Sequence, residues 1–178
     1  MAEHQWLVAL AYVLGYFIFG GFLLIVVQAV HQRLKVAVSA LLNSASIFGL
    51  IWVAFMMGSG MLAIVGLHTM VSLHQNGSVD STTLFYVYTT TVNALGGGIE
   101  LLGGLWMLLL SAAAWNQQQL PMAFNSIGIA VGVLGVLTIY RGVPALKVGF
   151  GFGQVIWFVW LGFLLLGSAK DAPTATAS

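Results

Sequence analysis

Nine of the 178 residues carry a formal charge, and Glu100 is the one acid that falls inside a long apolar run, in the segment N-A-L-G-G-G-I-E-L-L-G-G-L-W. An ionisable side chain costs roughly 3 kcal/mol or more at the centre of a bilayer, so such a residue marks a functional site by default. With five spans, His68 near the end of the second apolar run lies at a similar depth on the same side. Arg141 and Lys147 flank the fourth and fifth runs there, with Gln154 close by. The candidate polar pocket is therefore Glu100, Arg141, His68 and Gln154. The competing reading is structural: Glu100 pairs with Arg141, or sits near a helix N-terminus where free N–H groups and the macrodipole favour a carboxylate.

Other chemistry finds little support. The four histidines are His4, His31, His68 and His74, and no two have ligand spacing for zinc or haem. His68 reads as a satisfied interface histidine before it reads as a ligand, and no metal site is expected. With no cysteine, thiolate sites and disulfides are excluded. There is no G-x-S-x-G elbow, Walker loop or pair of carboxylates. The G-x-G-x-G of Gly149 to Gly153 opens an apolar helix instead of following a strand, which argues against a dinucleotide site. No cofactor is evident. A net charge of +1 offers no basic face for nucleic acid.

These residues must be positioned by elements that suit lipid. The chain is 60% hydrophobic and 5% charged, where soluble domains carry about 25% charge. It reads as an all-α, polytopic membrane helix bundle with about five transmembrane helices in one domain over 1–170, followed by a polar, disordered tail over 171–178. A span needs about 20 apolar residues. Trp6 to Val30 is the first, since the start of the chain lacks the basic region of a signal peptide. Val36 to Leu73 is charge-free for 38 residues, about 57 Å if helical. It must protrude, tilt or break, and Gly58-Ser59-Gly60 is the place for a break. One long span with an exposed extension around Ser39, Asn43 and Ser46 is the favoured form. Gln75 to Ser78 is a turn, with Asp80 or Ser81 an N-cap. The hydroxyl- and tyrosine-rich Thr82 to Asn93 suits an interfacial segment. Leu95 to Trp115, Met122 to Tyr140 and Val148 to Leu166 complete the spans, with Arg141-Gly142-Val143-Pro144 as a breaker. Placing Arg33, Lys35 and Lys170 inside, against Arg141 and Lys147 outside, favours an external N-terminus by three cations to two.

Small residues permit close helix approach in lipid. Gly96, Glu100 and Gly104 fall at i, i+4 and i+8 on one helical face of the third span. The fourth carries Asn125, Gly128, Gly132 and Gly135, and the fifth opens with Gly149, Gly151 and Gly153. Three such seams imply a compact bundle, in which the glycines serve first to permit packing.

The blocks G-L-I-W-V-A-F-M-M-G-S-G-M from Gly49, G-G-G-I-E-L-L-G-G-L-W from Gly96, P-M-A-F-N-S-I-G from Pro121 and F-G-Q-V-I-W-F-V-W-L-G from Phe152 resemble a family of small, uncharacterised bacterial membrane proteins of the domain-of-unknown-function kind. Ile99 stands where that family often has a polar residue before its Glu. The resemblance implies a five- or six-helix fold in the bacterial inner membrane and no established activity. Without a catalytic motif, the expected function is that of an accessory or scaffold subunit, with the lipid bilayer and a membrane-protein partner or a second copy as its contacts. The alternative is a small-solute, ion or lipid carrier using a polar pocket around Glu100. An enzyme is the least supported class.

Overall fold

A computed structural model describes residues 5–34, 39–76, 80–97 and 100–170, and it is all-helical, with no strand among the described residues. The expectations for His4, Lys35, Val36, the Gly77-Ser78 turn, Gly98, Ile99 and the 171–178 tail fall outside these residues. The helices are α1 (Gln5–Tyr12), α2 (Phe19–Leu34), α3 (Ala40–Gln75), α4 (Ser81–Val92), α5 (Leu101–Asn116), α6 (Met122–Leu137) and α7 (Pro144–Lys170). A π-helical turn, Val13–Ile18, joins α1 to α2, and a second, Asn93–Gly97, follows α4.

Three helices are long and apolar enough to cross a membrane: Trp6–Leu34, Ala40–Gln75 and Pro144–Gly167. Helices α5 and α6 are apolar but have 16 residues each, about 24 Å of rise. As in the favoured form, α3 is one long helix of 36 residues, and no break occurs at Gly58-Ser59-Gly60. Side chains clasp it there: Ser59 and Gly60 are fully buried, and a Cβ at Gly60 would come within 2.7 Å of Tyr16 Cβ. The start of α3 is not a free extension either. Ser39 Oγ accepts from the Leu42 N–H at 3.3 Å, an ordinary N-cap. Ser46 donates to the Leu42 carbonyl at 3.0 Å, so at 2.6 Å it is left to accept from His31 Nδ1 of α2. Asp80, outside the long apolar helices, caps α4. The Thr83 hydroxyl and the Thr83 and Thr82 N–H groups hold its carboxyl below the usual carboxylate range.

Successive rods pack antiparallel. Gly20 lies against Met57 and Gly49 against Val27, which sets α2 against the first half of α3. Gly49 also meets Trp106, and Gly103 meets Trp52, which sets α5 on the same stretch. Farther along α3, the Tyr88 ring of α4 lies over Gly66, and Tyr88 Oη donates to the Ala63 carbonyl at 3.0 Å and shares a hydrogen bond with Tyr12 of α1 at 3.1 Å. The molecule thus has a five-rod bundle of α2, α3, α5, α6 and α7, and a three-rod extension of α1, the second half of α3, and α4.

The core of the bundle is aromatic. Trp106 contacts Trp52, Trp157 and Phe158 with centroids 5.6 to 6.0 Å apart, and Phe124 stacks on Trp157 at 4.7 Å. Such pairs contribute about 0.5–1.5 kcal/mol each beyond their area. The α5–α6 turn closes on a Schellman pattern. Gln118 adopts φ 54°, its N–H bonds Trp115, and the Gln119 N–H bonds Ala114.

The closest approach is between α5 and α6. A Cβ at Gly104 would stand 2.7 Å from the Gly132 carbonyl oxygen, the Gly135 carbonyl carbon and the Val136 nitrogen, all backbone atoms with no room to give. Gly128 would strike Ser111 Oγ, and Gly153 would meet Val131 at 2.6 Å, whereas Gly149 makes only ordinary contact at 3.5 Å. Asn125 is buried beside this seam and donates to the Leu120 carbonyl at 3.1 Å. We expect Gly104→Ala to destabilise the fold by about 1–3 kcal/mol through overpacking. Gly162→Ala on α7, with nothing within 4 Å of its Cβ, should be neutral or gain up to about 1 kcal/mol of helix propensity. Unfolding of both variants in detergent checks the pair, and equal stabilities would contradict the backbone contact.

Candidate functional site

Glu100 is the residue before α5, and its placement departs from the single helical face expected for Gly96, Glu100 and Gly104. Gly96 belongs to the π-helical turn, and α5 starts afresh at Leu101, so the three do not share one helix. Runs of glycine resist continuous helix because each loses the most backbone freedom on ordering. Glu100 occupies the N-cap position, yet its carboxylate makes no capping bond. Its main chain is fixed instead: the carbonyl accepts from the Gly104 N–H at 2.9 Å, and the N–H donates to Thr138 Oγ1 at 2.9 Å. Thr138 is buried and donates in turn to the Gly135 carbonyl at 2.7 Å. A backbone donor left unmet at such a place would cost about 1–3 kcal/mol.

The cation that reaches Glu100 is Lys147, not Arg141. Lys147 Nζ lies 4.0 Å from Glu100 Oε1, with the carboxylate side chain 20% exposed and the lysine 49%. The reason is helical geometry. Pro144 opens α7, where its fixed φ suits the first turn, and Lys147 follows three residues later on that turn. Arg141 belongs to the turns between α6 and α7, where it lines a neighbouring recess of about 240 Å³ with Thr138, Tyr140 and Lys147. Lys147 therefore borders two recesses.

Glu100 and Lys147 open into a cleft of about 340 Å³. Tyr16 and Phe19 line it from the first rod, Trp52 and Met56 from α3, and Phe150 and Gln154 from α7. Of the four residues expected to converge, Glu100 and Gln154 share the cleft and Arg141 lies in the adjoining recess. His68 lines neither; it is exposed on α3, beyond Gly60 and Ala63, in the extension. Among the described residues no group of three His, Asp or Glu side chains is arranged to hold a metal.

Both π-helical turns lie at the level of Glu100. In the first, the Phe19 N–H reaches back five residues to the Leu14 carbonyl, which widens the turn carrying Gly15 and Tyr16 into the cleft. In the second, Asn93 lines the Arg141 recess. Such turns occur mostly as single interruptions within α-helices, frequently at functional sites. Sequence reasoning missed Tyr16, Trp52 and Thr138. The run Val13 to Ile18 carries no proline or charge to signal a π turn, and Thr138 looks like any span-end hydroxyl.

No family model, curated protein or solved structure matches this chain.

The ion pair predicts a coupling pattern. Glu100→Gln and Lys147→Gln should show an interaction of a few tenths to about 1 kcal/mol in a double-mutant cycle, the scale of a partly exposed pair. Glu100→Gln and Arg141→Gln should be additive. Thermal unfolding of the five variants in detergent measures both cycles. A larger coupling to Arg141 than to Lys147 would reverse the assignment.

Proposed function

We propose that the protein is a multi-pass integral membrane protein whose helix bundle binds a small polar or amphiphilic ligand in the cleft beside Glu100. The observation that carries this reading is the cleft itself: a carboxylate and an ammonium 4.0 Å apart, opening beside Tyr16, Phe19 and Trp52 in a space of about 340 Å³. A purely structural ion pair has no need of the space, and apolar packing has no need of the charges.

In this reading α2, the first half of α3, α5, α6 and α7 make five crossings. The two 16-residue helices are somewhat short for a hydrocarbon core of about 30 Å, a mismatch that local thinning and snorkelling absorb. Arg33 borders one end together with Pro121 and Leu164, and Arg141 and Lys147 border the other. The cation bias then places Arg33 in the cytoplasm of a bacterial inner membrane. The extension of α1, α3 and α4 emerges on the opposite side, where the aromatics Phe85 and Tyr86 of α4 suit the interface.

The second reading is an accessory or scaffold subunit. Its specific support is the apolar surface of the extension: Trp6 and Val65 are each 64% exposed and Val87 60%. Exposed apolar area of this kind calls for lipid, a partner membrane protein or a second copy.

Two measurements test the proposal. Single cysteines introduced into this cysteine-free chain should label from one side at Ser39 and Gln118 and from the other at Gln75 and Gly142. Ser39 and Gln75 labelling from the same side would overturn the topology. Native mass spectrometry from mild detergent should find a small bound molecule that is lost on Gly151→Phe, a substitution whose Cβ has nothing within 4 Å and whose ring would fill the cleft mouth. A stoichiometric protein partner, with no such bound molecule, would favour the second reading.

A further inference from the structure

The two recesses that meet at Lys147 differ in charge. One presents Arg141 and Lys147, two cations, beside Tyr140. The other shares Lys147 and adds Glu100, flanked by Tyr16, Phe19 and Trp52, so that its formal charges balance. An Arg and a Lys lining one recess suit a phosphate, which takes forked hydrogen bonds from guanidinium and a point charge from ammonium. A carboxylate among aromatic rings suits an organic ammonium, which gains from both the counter-charge and the ring faces. From these juxtaposed recesses we infer that the ligand is a zwitterion carrying a phosphate and an ammonium on a short linker, its phosphate held by Arg141 and Lys147 and its ammonium by Glu100. This deepens the cleft reading above and rests on it.

The chemistry could be met by a phospholipid headgroup or by a free phosphoamine. The surroundings can serve either. One turn from Phe19 stands Phe22, 65% exposed, and one turn from Gly151 stands Val155, 60% exposed, so apolar chains attached to the headgroup would run along the α2 and α7 surfaces. A ligand without chains would use the recesses alone. In both cases the loose Glu100–Lys147 pair is replaced by two closer ones, each side chain turning to the ligand group of opposite sign. No bond is made or broken.

The experiment uses the full chain in a maltoside detergent. Native mass spectrometry counts bound molecules after addition of phosphatidylethanolamine, phosphatidylglycerol, which has the phosphate and no ammonium, or free phosphoethanolamine. The wild type should retain phosphatidylethanolamine over phosphatidylglycerol by roughly tenfold, the scale of one charge-assisted hydrogen bond. Glu100→Gln should abolish that preference while leaving phosphatidylglycerol binding in place. Arg141→Gln should weaken both lipids. Binding of free phosphoethanolamine, lost on Glu100→Gln, identifies the source as a soluble phosphoamine, and binding of the lipid alone identifies it as the headgroup. Equal retention of the two lipids by the wild type, or an unchanged preference in Glu100→Gln, overturns the zwitterion. Gly151→Phe separates the two claims. If it blocks lipid binding while the wild type shows no headgroup preference, the cleft stands and the zwitterion falls. If it leaves binding of every probe unchanged, the cleft reading falls and the zwitterion with it.

Discussion

Direct contact between the backbones of α5 and α6 sets the rest of this molecule. Where Gly104 meets Gly132 and Gly135 there is no side chain on either helix to hold them apart. In lipid that closeness is itself a source of stability, since apolar burial between helices gains little over contact with acyl chains. The contact also fixes what lies one turn beyond it. Gly135 passes its carbonyl to Thr138, and Thr138 passes its hydroxyl oxygen to the Glu100 N–H. The position of the carboxylate therefore follows from the glycine seam through two hydrogen bonds of 2.7 and 2.9 Å.

The aromatic core depends on the same economy of size. Gly103 leaves room for Trp52, Gly49 for Trp106, and Gly128 for Trp157. Each large ring is seated against a residue with no side chain on a neighbouring helix, so the bundle reaches interior packing with unequal partners. Trp52 serves two purposes, closing the core against Trp106 on one side and walling the cleft on the other.

What the sequence discloses follows the range of the forces involved. Helical class and helix ends rest on local composition. Asp80 announced itself as a cap and Arg141 to Pro144 as a break, and the apolar runs marked the rods, whereas Ser39 read as part of an extension and α7 starts four residues before the expected Val148. That Glu100 stands outside α5 left as its trace only nearby glycines, whose spacing reads as a packing face. Lys147 and Arg141 are both cations near the α6–α7 connection. Choosing between them requires knowing that α7 starts at Pro144, a matter of one turn. The expected place of His68 beside Glu100 failed for a longer-range reason: α3 meets the cleft at Trp52 and Met56, and His68 stands twelve residues beyond Met56, about 18 Å along the helix. The two π turns left no compositional trace.

The continuity of α3 has a structural consequence. The same unbroken helix bears Trp52 and Met56 in the cleft and Ala63 and Gly66 beneath Tyr88 in the extension. Its companions are both interrupted beside the cleft, by π-helical turns at Val13–Ile18 and Asn93–Gly97. One continuous helix thus forms a wall of both parts of the molecule, so the cleft and the extension share a single backbone element.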